Sequence, residues 1–305
     1  MRSASELGSF LMSRRSRVTP EAAGLPVLDR RRVAGLRREE VAELAGVSAV
    51  YYTRLEQGRA RRPSDAVLDA LARVLRLDAT ERVHLHDLAH GARVAGRVPP
   101  VTSDAAEDEK PVRDGLRRLL AAVGAVPAYV LSPAMDVLDA NHLADALLGA
   151  PDRTPAGRLN LARHVFLDAA ARGLYPQWAD VARQTVGFLR FSAGRRPGDV
   201  RLAGVVGELS RHSPEFRSLW ASQEVREKSY GTKSFRHPVA GDFDLTYETL
   251  ALPGGEGWSL VVFTALDARS DAALRMLASW TAPAPTAPVA TRVEGAGSAV
   301  QGRSS

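Results

Sequence analysis

Apolar residues recur at helical spacing through the first third of the chain. Leu7, Phe10 and Leu11 begin a stripe that ends near Arg17, and a Pro/Gly-interrupted loop follows at 18–35. Helices are predicted over 37–45 and 48–57. Pro63 stops the chain, and Ser64 is placed to cap a helix carrying Val67, Leu68, Leu71, Val74 and Leu75. A fifth helix is predicted near 80–90, with Val83 and Leu88 on its apolar side. Pro99, Pro100, Pro111 and an acidic cluster (Asp104, Glu107, Asp108, Glu109) give 94–112 the composition of a linker.

Beyond residue 112 the pattern is mixed. Residues 129–131 and 137–140 read as short strands around a Ser132-Pro133 turn. Helical spacing returns at 159–168, 176–192 and 199–211, the last with Leu202, Val205, Val206 and Leu209 in one stripe. Phe243, Leu245 and Tyr247 alternate with Asp244, Thr246 and Glu248, and Pro253-Gly254-Gly255 turns the chain into the nearly all-apolar 258–265. A last helix is predicted over 270–280, before a tail at 281–305 rich in Ala, Pro, Gly, Ser and Thr and read as disordered. The expected fold is an N-terminal five-helix bundle (1–93), a linker (94–112) and an α+β domain with an antiparallel sheet (113–280).

Charge separates these parts. The chain has 305 residues and a net charge of +6. Its first 97 residues hold 18 Arg and no Lys against 12 acids, which accounts for the whole excess. A basic domain joined to a neutral one suggests that the first meets phosphate. An Arg-rich coding bias explains why only Lys110, Lys228 and Lys233 occur, but not the difference in net charge. The absence of Cys excludes a disulfide scaffold and cysteine-based metal centres. No apolar run approaches the ~18 residues of a membrane span, and the N-terminus lacks a signal-peptide core, so a cytoplasmic protein is expected.

The most informative stretch is RREEVAELAGVSAVYYTRLEQGR, residues 37–59. It reads as two helices joined by a tight turn. Gly46 suits the left-handed conformation at the reversal, and Ser48 can cap the second helix. Val41, Leu44, Val47, Tyr52 and Leu55 have the spacing to lock the pair together. Ala49, Val50, Thr53, Arg54 and Gln57 then face outward, as on a helix that enters a major groove. A plain helical hairpin would use the same glycine. The flanking Arg38, Arg59, Arg61 and Arg62 favour DNA, because they stand where phosphates would lie.

These residues, with Leu44-Ala45-Gly46-Val47-Ser48 and Leu55-Glu56-Gln57-Gly58-Arg59, make residues 6–90 resemble the helix-turn-helix domain of the Xre/phage-repressor family. The resemblance implies base reading by Ser48, Ala49, Val50 and Arg54 and a phosphate contact by Arg38. It also implies a structural pair between Glu56 and Arg15, with Arg14 as the substitute. Arg30-Arg31-Arg32 in the longer loop is placed to touch the DNA backbone. Val50 can only meet a thymine methyl or exclude another base.

GELSRHSPEFRSLWASQEVREKSYGTKSFRHPVAGDFDLTYETL, residues 207–250, resembles the ligand-binding domain of MmyB-like transcription regulators. The similarity reaches back to 128–149 and 174–190. It implies a PAS-like domain over 113–280 with a long-chain fatty acid as ligand. The family's first strand commonly ends in Trp-Asn, where this chain has Ala140-Asn141. The resemblance thereby places Asn141 at the ligand, and the residues themselves suggest an apolar body with an anionic head: Trp178, Phe216 and Trp220 on covering helices, and Arg226, Lys233 and His237 around a carboxylate. For Arg226, Lys233 and His237 a solvated basic rim weighs about as much as an anion site, and the aromatics read first as core.

His84, His86 and His90 lie close together, and the last two are one helical turn apart. The spacing supplies no third ligand, so a solvated face is expected and no metal site. No nucleophile elbow, P-loop, GxGxxG or HExxH is present, and no catalytic residue is assigned. The leading expectation is a ligand-responsive DNA-binding regulator acting as a homodimer, with double-stranded DNA and a small amphipathic ligand as partners. It has no membrane partner and no cofactor beyond a bound fatty acid. A constitutive regulator whose second domain only dimerises or recruits a partner is the alternative. An enzyme or a cofactor-bearing redox sensor is the third reading.

Overall fold

In a computed structural model, the residues described are 2–26, 33–60, 63–94, 111–149, 159–226, 229–254 and 257–281. The expected linker and tail lie almost wholly outside them, as do Arg30, Arg31, Arg32, Arg61, Arg62 and Lys228.

Five helices form the N-terminal part. Helix α1 (Arg2–Arg17) buries Leu7, Phe10 and Leu11. The pair α2 (Arg38–Leu44) and α3 (Ala49–Glu56) buries Val41, Ala42, Tyr52 and Leu55. Helices α4 (Asp65–Val74) and α5 (Ala79–Val94) complete the bundle, with Leu68, Leu71, Leu85 and Leu88 inside. Two expected core positions are corrected. Leu44 is 40% exposed, because it stands two residues, over half a turn, from Ala42; Leu36 is fully buried. Val83 is 46% exposed for the same reason relative to Leu85, and His84 takes an inward place.

The C-terminal part opens with α6 (Asp114–Ala122), β1 (Ala128–Leu131), β2 (Val137–Ala140) and α7 (His142–Leu147). Helices α8 (Leu161–Leu167) and α9 (Ala169–Leu174) follow; Asp168 separates them and caps α9 by accepting from Ala170 N–H. Next come α10 (Trp178–Arg195), α11 (Val200–His212) and α12 (Pro214–Ala221). Strands β3 (Tyr230–His237), β4 (Gly241–Ala251) and β5 (Ser259–Ala265) precede α13 (Ala268–Thr281).

The five strands form one antiparallel sheet in the order β2-β1-β5-β4-β3. Alternation along β1 sends Tyr129 and Leu131 into the main core and Ala128 and Val130 toward Leu116 and Leu120 of α6. Both faces of β1 are therefore covered. On β4, Phe243, Leu245 and Tyr247 are buried as their alternation predicts. No helix among the described residues is long and apolar enough to cross a membrane.

The two parts share a core. Phe191 of α10 and Val225, just before β3, pack in the same cluster as Leu7, Phe10, Tyr52 and Leu88. Around this seam, Ser13 Oγ and Arg17 Nη2 donate to the Ser222 carbonyl at 3.1 and 2.7 Å, and Arg14 Nη2 donates to that of Gln223 at 2.7 Å. These bonds satisfy the carbonyls of Ser222, the C-cap of α12, and of Gln223 just past it.

Candidate DNA-reading helix and ligand cavity

The turn between α2 and α3 is built as its glycine demands. Gly46 has φ +70°, its N–H donates to Glu43, and Val47 N–H donates to Ala42 at 2.9 Å. Ser48 then starts α3 by accepting from Tyr51 N–H at 3.1 Å. The exposed side of α3 carries Ser48, Val50, Arg54 and Gln57; Ala49 and Thr53 are half-buried, and Arg59 is exposed just past the helix. Val50 is 63% exposed, an apolar side chain left in water on the outward face.

Glu56 anchors this helix from behind. Its buried carboxylate accepts from Arg15 Nε at 2.6 Å and from Arg38 Nε at 2.5 Å. Arg15 Nη1 also donates to the Leu36 carbonyl at 2.9 Å. The Glu56–Arg15 pair is therefore present, and Arg14 has other partners. Arg38 is divided: its Nε is held by Glu56 while its side chain stays 44% exposed.

In the second part, a cavity of about 20 Å³ lies between the sheet and the helices, room for roughly one water. Its walls are Tyr129, Met135, Leu148, Leu161, Val165, Tyr175, Val181, Gln184, Thr185, Phe188, Lys233, Phe235 and Phe263. Lys233 is the one cation in this lining. It pairs with Leu245 across the sheet and so points to the apolar face. Its Nζ lies 5.5 Å from the ring centre of Tyr175 and 5.7 Å from that of Tyr247. No ion pair to Lys233 is found among the described residues; the residue is half-buried by exposure, and the desolvation of its ammonium pushes the pKa down to about 8.

Of the seven residues expected around a ligand, Lys233 alone lines this cavity. Asn141 caps α7 and ties down the start of β1: its Oδ1 accepts from Ala128 and Ala144 N–H, and its Nδ2 donates to the Val123 and Val126 carbonyls. All four of these side-chain hydrogen bonds are internal. Trp178 donates to the Val165 carbonyl at 2.9 Å beneath the Arg172 guanidinium. Phe216 is buried and stacks on Trp220, over which Arg190 lies at 4.1 Å. Arg226 is exposed and stands against Gly187. His237 is buried; its Nε2 donates to the Ala146 carbonyl at 3.0 Å and its Nδ1 accepts from Val239 and Ala240 N–H. Burial lowers its pKa, so the neutral ring offers no charge to an anion. The sequence does not point to Met135, Tyr175, Gln184 or Thr185. The usable signal was Lys233 itself, one of three lysines and in alternation with Phe235.

One helix joins the cavity and the N-terminal bundle. Val181, Gln184, Thr185 and Phe188 line the cavity from α10, while Phe191 enters the N-terminal core and Gly194 meets His84. Those contacts span about 20 Å of helix. A Cβ at Gly194 would stand 2.4 Å from His84 Nδ1, so the helix can seat there only with glycine. His84 is buried edge-on to Phe10, and burial, with Arg190 and Arg14 nearby, lowers its pKa to about 3. Arg190 donates to the Trp220 carbonyl and, at 2.6 Å, to Gln223 Oε1. Gln223 is held at φ +59° and also accepts from Arg14. The seam is thus a set of buried polar groups shared between the parts.

Comparison with known families gives two matches. Residues 112–278 match the MmyB-like transcription regulator ligand binding domain, and residues 6–85 match a helix-turn-helix domain. No curated protein matches the chain.

Proposed function

The chain belongs to the MmyB-like transcription regulators and is a DNA-binding regulator with a ligand-sensing domain; from that premise we propose that it is an Xre-type homodimer whose operator affinity is set by a small amphipathic anion such as a fatty acid. The observation that carries this reading is Lys233, a cation on an apolar wall without an ion-pair partner among the described residues. An anionic head would complete it with charge-assisted hydrogen bonds, and the tail would lie among Val165, Val181 and Phe188. A fatty acid needs several hundred Å³, so the wall must open on binding. Met135, unbranched and part of that wall, is suited to give way. Since α10 carries both cavity residues and Phe191, opening would be felt at the core of the reading domain.

On DNA, Ser48, Ala49, Val50, Thr53 and Arg54 meet base edges in this proposal, and Arg38, Arg59, Arg61 and Arg62 meet phosphates. One such helix covers few base pairs, and two half-sites about one DNA turn apart require a dimer. Arg54→Ala is expected to cost ~1–3 kcal/mol and relax preference at one base pair. Arg59→Ala should weaken all sequences alike and flatten the salt dependence. Binding assays with an operator found by footprinting and with random DNA read both effects. Unchanged affinity for both DNAs in Arg54→Ala would reject this placement of the reading helix.

One observation favours a second reading. The cavity holds about one water, as in a packed core, which suits a domain that only dimerises. Under that reading, no fatty acid shifts the melting temperature of delipidated protein.

A further inference from the structure

We propose that Asp65, His86 and His90 form a divalent transition-metal site that clips the start of α4 to α5. The two histidines lie one turn apart on α5, with ring centres 5.9 Å apart. The third ligand, which the sequence spacing does not supply, comes from the first turn of α4. Asp65 Oδ1 stands 3.1 Å from His90 Nε2 and 3.6 Å from His86 Nδ1, and one donor atom from each of the three residues lies within 4.8 Å of the others. Donors on a tetrahedral zinc are roughly 3.3 Å apart, given bonds of about 2.0–2.1 Å.

A second carboxylate sharpens the case. Asp69 Oδ1 lies 3.2 Å from His86 Nε2 and is itself held by Arg82 at 3.1 Å. A carboxylate there selects the tautomer with the proton on Nε2. The Nδ1 lone pair then faces the Asp65 carboxylate oxygen, acceptor toward acceptor. A metal ion between them would satisfy both acceptors at once. With two imidazoles and one carboxylate, the donor set is that of zinc, nickel or copper rather than calcium or magnesium. The His86 and His90 side chains are 26% and 34% exposed and that of Asp65 is 70% exposed, so the ion would have an entry path and would keep a water as its fourth ligand.

The test is calorimetric titration of tag-free full chain with zinc chloride and, separately, nickel chloride. One ion per chain is expected. His86→Ala and His90→Ala should each weaken binding at least ~100-fold, and Asp69→Asn by ~10–100-fold, with the helical spectrum of the metal-free protein unchanged. His212→Ala, an exposed histidine away from the cluster, should leave binding as it is. Asp65→Asn should also weaken binding and serves if a histidine variant does not fold. No saturable binding at about 100 µM free zinc, or equal binding by the His86→Ala/His90→Ala double variant, would overturn the proposal.

Discussion

Gly8→Ala is expected to destabilise the DNA-binding part by ~3 kcal/mol or more and to abolish operator binding. A Cβ at this position would stand 2.0 Å from the carbonyl oxygen of Glu56, 2.8 Å from its carbonyl carbon and 3.3 Å from its Cα. All three are backbone atoms at the end of α3 and have no rotamer to escape into. Relief requires α1 and α3 to separate, and that pulls the Glu56 carboxylate from Arg15 on α1. The carboxylate is buried, so its charge would lose a partner without gaining water. Thermal melts and operator titrations check this; a variant that melts within ~2 °C of wild type would show that the α1–α3 contact is not as close as described.

Lys233→Met is expected to stabilise the ligand-free protein by on the order of 1–3 kcal/mol at pH 7 and to weaken binding of an anionic amphiphile ~10–100-fold. The folded pKa, about 8, lies below the ordinary value of 10.5 because burial disfavours the ammonium. Between those values the unfolded chain binds the proton and the folded chain does not, so wild-type stability should rise with pH across that window. Below pH 8 the folded protein carries the charge at full cost. Methionine removes the cost and the anchor together. Denaturant melts at pH 7 and 10 should show the gain at the lower pH and a smaller one at the higher. Equal stability of the two proteins at pH 7 would mean that the ammonium is solvated and no anion anchor.

These expectations separate what the chain makes legible from what it hides. The helix-turn-helix is legible because its information is local: Gly46, Ser48 and the apolar spacing of Val41, Tyr52 and Leu55 lie within 15 positions. The late strands are legible for the same reason, since Phe243, Leu245 and Tyr247 announce their face by alternation. The cavity is not, because its walls come from the β1–β2 turn, α8, α10 and β3, and no local pattern says that Met135 and Lys233 share a space. Trp178 and His237 stand outside the cavity lining, and their polar ends find backbone carbonyls, Val165 and Ala146, that only the folded chain brings near. The seam is hidden likewise. His84 reads as a surface histidine until Gly194, 110 residues away, is packed against it, and Phe191 reads as part of its own domain until it enters the other's core.

The central claim is that occupancy of the Lys233 cavity alters DNA binding through α10. A ligand changes affinity only if it favours one of two arrangements of the protein, so binding alone is not enough. The most direct measurement is operator affinity of delipidated full chain, with and without a saturating long-chain fatty acid, in wild type and Lys233→Met. The account predicts a change of roughly 5–150-fold in wild type and a clearly smaller one in the variant at the same ligand concentration. A fatty acid that raises the wild-type melting temperature yet leaves operator affinity unchanged would contradict it.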